Sequence, residues 1–441
     1  MAIKCIQLFQ RVYVTLKTNK LSVLQGVGML VSALLGSGVF IIPAIAAQTS
    51  GSWSLLAWAI MGILIIPIVF TFAQLGKFYP HAGGTAYFVQ QAFGDRSARL
   101  VSWLFIWVVA LGTPVITMTA ANFLQNALVE WQLLSAETDH RFIIAIGLLL
   151  LVFTINIFGL KTAAIIQSLL SVMIVGTLLF SSVDTQLHHS FQLPHTRFDL
   201  GDIALTATFI LWCFLGIEAI THIADDFENP ERDFPLTIFI GIGITLVVYG
   251  LISISLLQMG FYGDQEKNLN SVVDLVAASL GNKGYILVNL VGFCTCFISV
   301  SLYFVGFSRL LQSMAKQYQI NDCFEKVNRH NVAYLGLFFA ASLCFLILLT
   351  SHAINLSIDS LIAYANGLFI LIYLAAGIAG VKLLKGKGKW LAIIASLTCC
   401  VLFLALGWKM VFAVLLMLVL VLYYAVIYPW NNRMQRNRDY L

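Results

Sequence analysis

The sequence predicts an all-α membrane protein of about twelve transmembrane helices, and three observations carry that prediction. First, 60% of the 441 residues are hydrophobic and only 10% are charged. A water-soluble domain usually carries about a quarter charged residues, so the missing charge leaves apolar surface that suits lipid. Second, apolar runs near the roughly 20 residues needed to cross a bilayer recur along the whole chain. They fall at 24–47, 53–76, 98–125, 141–158, 160–180, 201–224, 234–258, 284–314, 333–350, 358–381, 390–406 and 408–428. Third, Lys and Arg are distributed unevenly between the connecting segments. With the N-terminus placed inside, 20 of the 25 basic residues fall on the inner side. That bias predicts cytoplasmic N- and C-termini.

The formal charge of +5 is this inner-leaflet bias. It does not form the water-facing basic patch that a nucleic-acid partner would need. Residues 1–20 carry Lys4, Arg11, Lys17 and Lys20 and lack the pattern of a cleavable signal. Of the eight cysteines, Cys294 and Cys296 form one close pair and Cys399 and Cys400 another, without His or Asp at metal spacing. No metal and no cofactor is expected. No soluble domain interrupts the apolar runs, so 1–441 is expected to be a single membrane domain.

Two spans are unusual in the same way. The first has Gly36, Ser37 and Gly38 at its middle, within LGSGVFIIPA. The sixth has WCFLGIE at 212–218, also mid-span. Five spans separate the starts of these units, so the second enters the membrane in the opposite direction. The expected arrangement is an inverted repeat, 24–180 against 201–382, with 390–428 as two accessory helices. A glycine within a membrane helix is often only a close-packing point. Two matching interruptions, one beside an acid, point instead to a site.

The physical reason lies in the backbone. Unwinding a helix in lipid strands N–H and C=O groups, each at a cost of several kcal/mol unless a partner occupies them. Half-helix N-termini suit an anion such as a carboxylate, and unwound carbonyls suit a cation such as an ammonium. An amino acid carries both charges on neighbouring atoms.

Glu218 is the carboxylate placed deepest in a span, where an ionisable group is costly and is a functional candidate by default. Burial there would let it exchange a proton near neutral pH. The alternative is a structural acid bonded to backbone across the interruption. Trp212 could close over a bound side chain as a gate, or simply pack the bundle. Phe40, Phe209 and Phe214 are read as pocket lining or as core. Ser37, Thr113 and Asn366 are the polar groups offered beside them. A pocket of that composition favours an apolar side chain and penalises a buried charge. Methionine, leucine, isoleucine and valine fit, whereas arginine and polyamines fit poorly.

YPHAGGTAYFVQQAFG at 79–94 is read as a short interfacial helix. The acidic segment DDFENPERDFP at 225–235 is read as a solvated turn. No GxxxxGK[ST] motif is present to support ATP drive. A multipass membrane enzyme would need a catalytic pair inside the bilayer, such as HExxH, and the spans offer none.

GVGMLVSALLGSGVFIIPA, YPHAGGTAYFVQQAFG and LWCFLGIEAITHIADDFENPERDFP together resemble the amino acid–polyamine–organocation superfamily, and within it the amino acid efflux family. YANGLFILIYL at 364–374 and LGWK at 406–409 extend the likeness over essentially the whole chain. The resemblance implies efflux of apolar amino acids across the inner membrane, driven by proton antiport. It implies that Gly36, Ser37 and Gly38 hold the substrate carboxylate, and that Trp212, Phe214, Gly216 and Glu218 supply the aromatic gate and the acid. Some relatives place a lysine in span 5. Here the matching stretch, 165–176, has no basic residue, which leaves Glu218 as the coupling candidate. The partners expected are an amino acid, a proton and the lipid bilayer, and a homodimer is compatible with the reading. An importer of the same fold is the competing expectation.

Overall fold

The computed structural model describes residues 21–79, 84–135, 137–159, 164–190, 192–217, 227–318 and 322–424. Among these, ordered backbone is almost entirely helical, and β pairing is confined to an isolated bridge between Leu21 and Phe227. The helices are α1 Val23–Leu34, α2 Gly38–Ser50, α3 Ser54–Phe78, α4 Gly84–Phe93, α5 Asp95–Glu130, α6 Arg141–Ile157 and α7 Ala164–His188. They continue as α8 Leu200–Ile210, α9 Pro230–Met259, α10 Gln265–Tyr318, α11 Tyr334–Ala353, α12 Ile358–Leu383, α13 Gly386–Ala405 and α14 Met410–Leu422. Seven helical stretches of the described residues are long and apolar enough to cross a bilayer, and three shorter apolar ones accompany them. This is a multi-pass membrane protein.

Local chemistry accounts for where the first helices begin and end. Ser22 and Gln25 close a reciprocal capping box on α1, with Gln25 N–H donating to the Ser22 hydroxyl at 3.4 Å and Ser22 N–H to Gln25 Oε1 at 3.0 Å. Pro43, Pro67 and Pro114 lie inside α2, α3 and α5. Proline removes a backbone donor, and lipid offers no replacement. Hydroxyls beside two of these prolines bond back to the helix: Thr71 to the Pro67 carbonyl at 2.7 Å and Thr117 to the Thr113 carbonyl at 2.8 Å.

α5 lies along α10 and α12, α2 packs on α8, and α9 packs on α1 and α3. Buried and half-buried amides cross-link the first of these contacts. Asn122 and Asn126 of α5 both donate to Asn270 Oδ1 of α10, at 3.0 and 2.9 Å. The halves of the interrupted spans are tied by Ser50 and Thr206, whose hydroxyls meet at 3.0 Å.

Three expectations are refined. The span expected from 284 is preceded by a helical segment from Gln265, joined to it through Gly281 at φ +61° and ψ −151°. Its start is capped by Asp264, whose carboxylate accepts from Lys267 N–H at 2.9 Å. One face buries Leu269, Val272, Val273, Leu275 and Val276 and the other is polar, so a search for continuous apolar runs passes over it. The short helix after span 2 is present as α4, with Phe88, Val89 and Ala92 buried against α5 and α12; residues 80–83 lie outside the described residues. Of the 225–235 segment, residues 225–226 lie outside the described residues, and the rest is more than a solvated turn. Phe227 and Phe234 are fully buried, with ring centroids 5.7 Å apart, and Glu228 N–H donates to the Leu21 carbonyl at 3.1 Å.

Candidate substrate site at two helix interruptions

The first interruption is Leu35–Gly36–Ser37, between α1 and α2. In an unbroken helix the Leu34 carbonyl would accept from the amide four residues on. Instead it accepts from the Tyr249 hydroxyl of α9 at 3.1 Å, in a buried contact. Ser37 stands at the N-cap of α2, and its side chain makes no capping hydrogen bond. The start of α2 thus presents backbone donors and a hydroxyl on one side of the gap.

The second interruption begins where α8 tightens into a 3-10 turn over Leu211–Phe214. Leu215 is extended, at φ −72° and ψ +133°, and Gly216 follows at φ +117°. That positive φ is one only glycine adopts without strain. Asn366 of α12 donates from Nδ2 to the Thr208 carbonyl at 2.7 Å, just ahead of the tightening. Each interruption therefore has a carbonyl taken by a side chain from another helix. Gly216→Ala is expected to lower thermal stability by roughly 1–3 kcal/mol, the usual cost of a side chain in a sparsely populated region. Thermal unfolding of the purified protein checks this, and an unchanged midpoint would mean the turn relaxes.

The two interruptions meet at Gly38. A methyl group built there would lie 3.0 Å from the Tyr249 hydroxyl, 3.2 Å from Trp212 Cδ1 and 3.4 Å from Cys213 Sγ. The far edge of the same indole approaches α5, where a methyl on Gly112 would lie 3.0 Å from Trp212 Cη2. Trp212 thus fills the space between the first interruption and the middle of α5. Two glycines leave room for it.

Of the residues singled out in the sequence, Gly38 and Trp212 are in direct proximity, with Gly36 and Ser37 beside them in the chain. Thr113 adjoins Gly112, and its hydroxyl is turned back to the Val109 carbonyl at 2.6 Å. Phe40 is fully buried edge-on against Phe123, with centroids 4.8 Å apart. Phe214 is fully buried in the 3-10 turn. Phe209 lies beneath Lys409, whose ammonium is 5.4 Å from the ring centroid and 3.4 Å from Asp359 Oδ2. Asn366 is buried and committed to backbone; its Oδ1 has no partner among the described residues. Glu218 lies outside the described residues.

Tyr249, Gly112 and Lys409 were not apparent as site residues in the sequence. Each has a faint local signal: a tyrosine inside an apolar run, a glycine before Thr-Pro, a lysine between two apolar runs. None of these signals says what the residue faces. Cavities elsewhere include one of about 390 Å³ beside Asp264, Lys267 and Tyr285, at the start of α10.

Interrupted helices meeting in the interior of a multi-pass bundle are the construction of secondary transporters. Residues 21–438 match the amino acid permease family, and the chain belongs to it. It is 35% identical to the L-methionine/branched-chain amino acid exporter YjeH of Escherichia coli K12, over 90% of this chain and 94% of that protein. It is 28% identical to the uncharacterized amino acid permease YecA of Bacillus subtilis, over 89% and 92%. The putrescine transporter PotE of Haemophilus influenzae is 21% identical, over 84% and 86%.

Proposed function

We propose that the protein exports neutral apolar amino acids, namely methionine, leucine, isoleucine and valine, across the bacterial inner membrane by alternating access with proton antiport. The observation that carries this reading is the meeting of the two interruptions at Gly38. It sets the donor-rich start of α2 beside an unwound carbonyl. A substrate carboxylate at Gly36, Ser37 and Gly38 and an ammonium at the unwound carbonyls would satisfy both. Trp212 and Phe214 would then border the side chain, with Trp212 as the moving part.

Efflux as the direction draws on the exporter role of the E. coli relative. A putrescine transporter is also among the similar proteins. The side chains gathered at Gly38 are an indole, a thiol and a phenol, which carry no charge to pair with a second ammonium. That composition favours an apolar substrate. Glu218, two residues past Gly216, is the proposed proton carrier. The twelve-span count, the 5+5 inverted repeat and the cytoplasmic termini complete the proposal, supported by the spacing of the two interruptions and by the placement of Lys and Arg.

The decisive measurement is the intracellular methionine and leucine level with and without expression of the chain. Lower levels on expression support export, and higher levels would indicate an importer. In the same cells, unlabelled leucine is expected to compete with labelled methionine for export, whereas arginine is not. Strong competition by arginine would overturn the pocket assignment.

A further inference from the structure

The buried hydroxyl of Tyr249 is the contact the transport reading leaves unexplained. It donates to the Leu34 carbonyl at 3.1 Å and, like the Cys213 thiol of the second interruption, borders Gly38. One phenol thus stands where the two interruptions meet. Its ring is held by a stack on Trp58 of α3, with centroids 4.8 Å apart and planes 20° from parallel. A methyl on Gly38 would lie 3.0 Å from the same oxygen, so the hydroxyl stands in the gap where the two interruptions meet.

An unwound carbonyl inside a membrane protein needs a donor at every stage of a transport cycle. When a substrate ammonium is bound, it supplies one. When the site is empty, something else must. A phenol suits this role because it is neutral, so burying it costs far less than burying a charged donor. A hydrogen bond from an ammonium is about twice as strong as one between neutral groups, so the substrate can take the acceptor from it.

We propose that Tyr249 is a positioning residue that stands in for the substrate ammonium at the Leu34 carbonyl, preserving the first interruption in the empty carrier and yielding when substrate enters. This rests on the transport reading above. The consequence is a competition between hydroxyl and substrate. Removing the hydroxyl strengthens substrate binding, because the empty state loses its donor while the loaded state does not. It also slows the step that only the empty carrier performs.

The test uses full-length protein in liposomes, with L-methionine as probe. Tyr249→Phe keeps the ring stacked on Trp58 and deletes only the hydroxyl. The expected result is methionine affinity raised about two- to tenfold, the range of one net hydrogen bond. Net efflux is expected to fall relative to methionine–methionine exchange, which bypasses the empty carrier. Trp58→Leu loosens the ring while keeping the hydroxyl, and is expected to shift affinity in the same direction should Tyr249→Phe fail to accumulate. Unchanged or weakened affinity in the variant that accumulates, or net efflux and exchange reduced in equal proportion, would overturn the inference while wild-type transport stands. Wild-type protein that binds neither methionine nor leucine would overturn the transport reading and this inference with it.

Discussion

Gly38→Val is expected to abolish transport while leaving a folded membrane protein. The first methyl alone meets the Tyr249 hydroxyl at 3.0 Å and Trp212 Cδ1 at 3.2 Å, closer than ordinary van der Waals contact. Valine adds two more carbons in the same direction. Overpacking of this kind typically costs 1–3 kcal/mol, which a large membrane bundle tolerates. The proposed site does not, because a carboxylate can reach the backbone at Gly38 only while no side chain stands over it. Binding of labelled methionine to purified protein should fall at least about a hundredfold, about 2.8 kcal/mol at 1.4 kcal/mol per decade. Gly38→Ala should retain weak binding, since its neighbours need give by only a few tenths of an ångström. Wild-type affinity in a folded valine variant would refute the site.

Glu218→Gln is expected to uncouple transport from the proton gradient. The amide keeps the size and hydrogen bonding of the acid but cannot carry a proton. In liposomes with an imposed pH difference, wild-type efflux of methionine should accelerate with the gradient. The variant should run at one rate at every gradient, at least about tenfold below the driven wild type, while still exchanging internal for external methionine. The contrast between driven efflux and exchange separates coupling from structure: an acid that only braces the interruption would lower both together. Unchanged acceleration in the variant would remove Glu218 from the coupling step.

The acid and the glycine were legible in the sequence for the same reason. A carboxylate and a Gly-Ser-Gly run are both costly within an apolar span, and costly features are visible against a uniform background. Asn366 was legible as a polar residue in α12. Its amide donates to the Thr208 carbonyl of α8 at 2.7 Å, a contact that spacing cannot reveal. Phe40 and Phe209 show the same limit. Both are aromatic neighbours of an interruption in the chain, yet Phe40 turns to Phe123 and Phe209 lies under Lys409. Side chains on adjacent turns of a helix face different neighbours, and only packing decides which.

Solvent and backbone physics acting on single segments were enough, from the sequence alone, to mark apolar stretches as membrane helices and glycine runs as places where a helix can open. Those forces depend on neighbours along the chain. The pairing of Tyr249 with Leu34, the indole lodged between Gly38 and Gly112, and the Lys409 ammonium over Phe209 depend on neighbours in space. The first of these contacts joins residues 215 positions apart. No local rule specifies them, because a hydrogen bond or a ring contact is decided by which helices the bundle brings together. That arrangement exists only once the whole chain is folded.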